Sequence, residues 1–442
     1  MTKPPRYFFR LVNAFLIRFR LIFLVGIFLG VVGFVFFRTF TASLPQEVKK
    51  IGVVGEYNTD NLPFFITNLI SKGLTVVDES GKVTPGMAEK WEIEDEGKTW
   101  IFHLKKNVKW QDGTEVVTKD INYNFSDASV EKPDQDTLIF KLKTALAPFP
   151  VTLSKPIFKK GLLGVGEWKV VNLSLAGTFI ETLTLGDPDN KQKIFKFYPT
   201  EERAKLAYQL GEINELGFLV HPEPFNTWQV ADVSGEVDKQ KYAAVFYNTS
   251  DSLLVDKDIR QALTYAIEKD QFGENRAFGP LSPNSWAYNP SLKPYDFDLE
   301  HARQLIKSSG ISEEEKKNLK VTLTTLPDLL PVAEVVGKNW REIGVETTLQ
   351  VTSFTPTDYQ AFLAIYNIPT DPDQYLMWHS TQTPTNITKY KNARIDKLLE
   401  EGRLETNEEK RKQYYFDFQR FLVEDSPAAF LYYPTYYTVT RR

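Results

Sequence analysis

The stretch Leu21 to Phe37, LIFLVGIFLGVVGFVFF, carries no charged residue, and nothing like it recurs in the 442-residue chain. Continued through Thr39 and Phe40, it reaches the roughly 20 residues that a helix rising about 1.5 Å per residue needs to cross a hydrocarbon core. A cleaved export signal is the rival reading. Its apolar stretch is normally shorter and followed by small residues at alternate positions, and Phe40-Thr41-Ala42 fits that poorly. The sequence therefore predicts a retained anchor over 21–40. Lys3, Arg6, Arg10, Arg18 and Arg20 precede it, against Arg38, Lys49 and Lys50 after it. That bias keeps residues 1–20 cytoplasmic as a basic flank, with everything beyond a 41–50 linker outside the cell membrane. The upstream YFFRLVNAFLIRFR reads either as a short amphipathic helix on the inner membrane surface or as a plain targeting flank.

Beyond the linker the chain is long enough for two or three compact units, and its 42% hydrophobic and 25% charged residues match an ordinary globular protein. A net charge of -4 gives no global field for nucleic acid or any other polyanion. The absence of cysteine excludes disulfides, thiolate metal sites, a cysteine nucleophile and a lipidated cysteine. His103, His221, His301 and His379 are dispersed, without the paired spacing that zinc needs. No nucleophile elbow, phosphate-binding loop or dinucleotide fingerprint is present, so a hydrolase is a weak reading and no cofactor is expected.

The remaining pattern is mixed α/β. In WEIEDEGKTWIFHLKKNVKWQDGTEVV, Trp100, Phe102 and Leu104 alternate with Ile101, His103 and Lys105, and Asp112-Gly113 supplies a turn. Leu138, Phe140 and Leu142 share one face of a second strand. Thr200 caps a helix that ends before Gly211, a second helix runs from Lys257 to Asp270, and Asp298 starts a third that stops at Gly310. Val321–Thr325, a helix ending near Gly344 and VETTLQV make a β-α-β unit. A last helix over Glu408–Val423 stops before Pro427, and AAFLYYPTYYTVT returns as a strand toward the first body. The chain then crosses between bodies near Asn248 and near Pro427, which makes a hinge.

In motif order the chain resembles family 5 of the extracytoplasmic solute-binding proteins, the oligopeptide, dipeptide and nickel receptors of ABC importers. The likeness spans most of residues 51–438. Its strongest block is GKVTPGMAEKWEIEDEGKTWIFHLKKNVKWQDGTEVVTKDINYNF, followed in order by VGEW, LAYQLGEINELGF, DIRQALTYAIEKDQF, FDLEHARQLIKSSG and the segment from NARIDKLLEEG to AAFLYY. The resemblance implies an α/β, two-lobed, periplasmic-binding-protein-like (type II) fold, preceded here by one N-terminal transmembrane helix. Its first lobe over 51–247 is trimmed, because Phe125 runs almost directly into DTLIFKL. The second lobe covers 248–426, and 427–442 forms the return strand to the first. The implied role is a non-enzymatic receptor that closes on a peptide or peptide-like ligand and delivers it to an ABC permease driven by a separate ATPase. A membrane-anchored sensor or interaction ectodomain on the same fold is the alternative.

A cleft of this kind needs apolar walls and a few fixed polar groups. The wall candidates are Trp168, Tyr247, Trp286, Tyr366, Tyr375 and Trp378, and the polar candidates are Asn58, Asn248 and Asp371. Each aromatic has an equal claim to an ordinary core. Trp91, Trp110 and Asp112-Gly113 read as architecture, and Arg260 as a structural ion pair before a ligand carboxylate contact. Relatives often place an aspartate a few residues before an Asp-Pro pair, where it meets the ligand's α-ammonium. In YNIPTDPDQY that position holds Ile368, so either Asp371 substitutes by local rearrangement or the ligand lacks an amino terminus.

Overall fold

A computed structural model describes residue 15 and residues 18–42 and 47–442. The expected upstream amphipathic segment lies largely outside the described residues. Arg20–Ala42 is a helix of 23 residues whose described apolar side chains, Leu21, Phe28 and Phe36 among them, meet no protein core. Among the described residues no helix is long and apolar enough to cross a membrane. In this helix the side chains described without a break are those of residues 24–36 only.

Three main sheets organise the rest. A seven-stranded sheet has the order Ala231–Val237, Thr435–Arg441, Glu215–Leu219, Glu47–Val54, Lys191–Tyr198, Phe179–Gly186, Lys169–Ala176. A five-stranded sheet runs Glu346–Val351, Lys320–Thr325, Ala361–Asn367, Lys241–Tyr247, Ala428–Tyr432. A four-stranded antiparallel sheet, Ala88–Glu94, Thr99–Leu104, Thr137–Leu142, Ala128–Glu131, forms a smaller body inserted in the first lobe. The predicted alternation decides its packing: Trp100, Phe102, Leu104, Leu138 and Phe140 all point into one core, while Ile101 and His103 stay partly exposed. The predicted β-α-β unit is present, with Val321 opposite Thr347 in parallel register.

The helix caps follow the sequence. The side chains of Thr200, Asp256, Asp298 and Asn407 accept hydrogen bonds from the first-turn amides of their helices, which would otherwise lack partners. One helix is shorter than expected. The segment predicted as helical from Lys257 to Asp270 is helical only to Tyr265, and the buried Lys269 Nζ then donates to the carbonyls of Thr264, Ile267 and Tyr295.

The chain crosses between lobes at different residues from those expected. Lys241–Tyr247, predicted within the first lobe, pairs with both Ala361–Asn367 and Ala428–Tyr432 in the second-lobe sheet. Pro434 divides the expected single return strand: 428–432 stays in the second sheet, and Thr435–Arg441 enters the first sheet between 231–237 and 215–219. Proline has no amide to donate, so a break at this point leaves neither ladder missing a bond. The two crossings, 238–240 and 433–434, lie side by side, with the Asp238 amide donating to the Pro434 carbonyl at 2.9 Å.

Candidate functional site

On the first lobe the loop after Glu47–Val54 carries Asn58, whose Oδ1 accepts from the amides of Asp60 and Asn61. These bonds shape the loop and leave the Asn58 side-chain oxygen engaged. Trp168 is half-buried on the same lobe, where the Lys193 ammonium sits 4.6 Å from its ring centroid. Its segment is held by Gln111, whose Nε2 donates to the carbonyls of Gly166 and Trp168, both at 2.9 Å.

On the second lobe the predicted residues divide into two groups. Trp286, Tyr366 and Tyr375 pack with Phe246 and Phe362 in one core of the second lobe, and Asp371 is linked to Trp286 through Arg411. Trp286 donates its amide to the Ser80 carbonyl at 3.0 Å, a direct contact across the lobes. Lys82 and Glu408 pair at 2.9 Å, and the Ala147 amide donates to the Arg403 carbonyl at 2.8 Å. Burial pushes the Tyr366 hydroxyl up to about 12, so it stays a neutral donor at any physiological pH.

The other group is core. Tyr247 is 0% exposed, packs beside Trp340 and shares a 3.1 Å hydrogen bond with Thr264 Oγ1, while Trp378 is also 0% exposed. Both are fully buried, so neither presents a surface to a cleft. Asn248 is buried as well, and its Nδ2 donates to the Tyr359 carbonyl at 2.9 Å. Arg260 is buried and has no carboxylate within ion-pair distance among the described residues. Its guanidinium donates to the carbonyls of Leu254, Val255, Asp425 and Ser426, tying a helix to the end of Glu408–Asp425.

Asp371 is 7% exposed and held bidentately by Arg411, itself 7% exposed, at 2.9 and 2.5 Å. The Arg411 guanidinium also lies 5.6 Å from the Trp286 ring. Ile368, at the expected anchor position, is 6% exposed and packs into the core. Next to this pair, Asp373 accepts from Arg403 Nε at 2.9 Å. Burial raises its carboxyl above the usual range, and Arg403 opposes that rise. Arg403 stacks in turn 4.2 Å over Tyr375, whose other neighbour is His379 at 4.1 Å between ring centroids. Arg411 and Arg403 escape sequence reasoning because they sit on helices far along the chain from the carboxylates they meet. Among the described residues no cluster of acids and histidines could hold a metal ion.

Comparison with known proteins agrees with this geometry. The sequence profile of the bacterial extracellular solute-binding proteins, family 5, matches residues 82–162 and 184–387. The oligopeptide-binding protein AppA of Bacillus subtilis is 26% identical, over 89% of this chain and 88% of its own length. Its solved structure in complex with a nonapeptide superposes with a TM-score of 0.67 at 23% identity, covering 90% of this chain and 95% of that one. NikZ from Campylobacter jejuni, in complex with Ni(L-His), superposes with a TM-score of 0.72 at 23% identity over the same shares. The chain therefore belongs to family 5 of the bacterial extracellular solute-binding proteins, which are binding receptors and not enzymes.

Proposed function

We propose that this receptor captures a peptide or peptide-like solute between its lobes and hands it to the permease of an ABC-type importer energised by a separate ATPase. The observation that carries this reading is the paired crossing at 238–240 and 433–434, a two-segment hinge between lobes in a chain whose relatives include an oligopeptide-binding protein. Ligand binding stabilises the closed arrangement through contacts that the open one lacks. The candidates in place for such contacts are Asn58 and Trp168 on one lobe and Trp286, Tyr366 and Tyr375 on the other. Asp371 is already neutralised by Arg411, and Ile368 is apolar, so this corner offers a ligand ammonium no free carboxylate. Backbone contacts and apolar walls therefore carry recognition there. Full-length protein is expected to melt at higher temperature and to compact in small-angle scattering on addition of a mixed peptide library. Unchanged melting and unchanged scattering with every pool would remove the peptide assignment.

The segment 21–40 is proposed as a retained single-pass anchor, with its N-terminal flank cytoplasmic and the lobes outside. Its support is the uncharged run Leu21–Phe37, the excess of basic residues before it, and outward-facing apolar side chains such as Leu29 and Phe34. An anchored protein stays with membranes washed at alkaline pH, whereas release into the wash would show cleavage or peripheral attachment.

A further inference from the structure

Very little chain joins the helix of the proposed anchor to the first lobe. The helix ends at Ala42 and the strand Glu47–Val54 begins five residues later, so the join spans at most about 18 Å when fully extended. That strand is the fourth of seven in its sheet, and with neighbours about 4.8 Å apart the sheet is about 29 Å across. The tether therefore leaves from the middle of a rim that is wider than the tether is long, and it holds that rim close to whatever surface the anchor enters.

The sheet register shows which residues share the rim. Lys191 lies opposite Glu47, and the Lys50 amide donates to Asn214 Oδ1 at 2.8 Å. The Arg441 amide donates to the Asn214 carbonyl at 2.9 Å, and the Arg442 amide to the Val230 carbonyl at 3.0 Å. The helix Glu201–Leu210 returns from the far end of Lys191–Tyr198 to this same rim, where the Arg441 guanidinium donates to the Tyr208 carbonyl. Three large apolar side chains stand out here: Leu206 is 52% exposed, Leu210 68% and Val230 56%. Leu206 and Leu210, four residues apart, share one helix face. The cations of the rim, Lys49, Lys50, Lys191, Arg441 and Arg442, are matched in number by Glu47, Asp187, Asp189, Glu212 and Asp232. Lys49 sits 3.7 Å from Glu47 and Arg442 3.6 Å from Asp232. Such a surface has little long-range field, so contact with a bilayer depends on apolar entry, with the long cationic side chains reaching outward to phosphate.

We propose that this rim docks on the lipid bilayer that holds the anchor, with Leu206, Leu210 and Val230 entering the headgroup layer. The inference rests on the reading of 21–40 as a retained anchor. Thr435–Arg441 runs from the crossing to the rim in six steps of about 3.4 Å, so the docked lobe holds the hinge about 20 Å from the headgroups and leaves the second lobe free to close.

The chain has no cysteine, so single cysteines carry a fluorescent label at chosen sites. Full-length Leu210→Cys and Glu314→Cys, the latter on the second-lobe helix Glu313–Lys317, are labelled with a nitrobenzoxadiazole dye and reconstituted into phosphatidylcholine vesicles with nitroxide on a fraction of the headgroups. The label at 210 is expected to lose at least half its fluorescence and the label at 314 to lose none, at low and at high salt alike. Leu206→Glu with Val230→Glu, checked for an unchanged circular dichroism spectrum, is expected to restore the signal at 210. Equal quenching at the two sites, quenching that high salt abolishes, or quenching that survives both glutamates would each overturn the proposal. Fluorescence loss that needs no nitroxide and grows with protein density would assign the patch to a second copy instead. Protein released by an alkaline wash would remove the anchor and this inference together, whereas retained protein with an unquenched label at 210 would sink the docking alone.

Discussion

Asp371 and Arg411 are each almost fully buried and satisfy each other through two parallel bonds. Removing one partner strands the other charge in a medium that cannot solvate it, a loss of about 3–5 kcal/mol. Asp371→Ala is therefore expected to lower unfolding free energy by about that amount in urea titration, instead of acting mainly on ligand affinity. Tyr247 makes the same distinction at smaller scale. Tyr247→Phe keeps the packing and deletes one buried hydrogen bond, so a loss of about 1 kcal/mol with unaltered ligand binding is expected. Lys269 gives a pH signature. Burial pulls its ammonium down to about 7, whereas the unfolded chain keeps the ordinary value near 10.4. Between those values the unfolded state binds more protons, so the folded state gains stability as pH rises from 7 to 10. Lys269→Met removes this gain, and wild-type stability relative to that variant should increase over the same range. None of these partnerships is visible locally in sequence. The sequence showed Asp371 to be a notable carboxylate beside a proline, but the guanidinium that neutralises it comes from a helix forty residues on.

Elements with a strong period were legible, and those without one were not. Trp100, Phe102 and Leu104 announced a half-buried strand because alternation has no other efficient packing. The extent of the helix beginning at Lys257 was over-read because Ala266 and Ile267 continue its apolar spacing, yet they are buried just beyond its end. AAFLYYPTYYTVT is rich in aromatic residues on both sides of Pro434 and in β-branched residues after it, and the proline marks a break without indicating that the two halves belong to different sheets. The contact between the smaller first-lobe body and the second lobe turns on Gly81. Its φ of +81° suits glycine, and an added Cβ would stand 2.6 Å from the Thr370 carbonyl oxygen. Gly81→Ala should therefore push the Ser80–Trp286 contact apart, and a left-handed alanine costs about 1–2 kcal/mol besides. Small-angle scattering of unliganded protein should show a larger radius of gyration, and an unchanged radius would mean that this turn does not hold the lobes together.

Across the whole molecule, the two-lobed plan was readable from the order of weak motifs, while the crossing points were not, because Asp238-Lys239-Gln240 and Tyr433-Pro434 read equally well as ordinary turns within one lobe. Strand 435–441 lies between 215–219 and 231–237 and is, among the described residues, the sole lateral partner of the latter. Deleting residues 435–442 should leave amides of 231–237 exchanging freely with deuterium, while those of 241–247, paired on both sides elsewhere, remain protected. This arrangement also ties assembly to the direction of synthesis. Residues 47–54 and 215–219 emerge from the ribosome early, but the strand that joins them to 231–237 emerges only after the entire second lobe has been made. The first sheet therefore cannot be completed until the last few residues of the chain have been made. A product truncated before residue 435 leaves 231–237 without the strand that ties it to the rest of the first sheet.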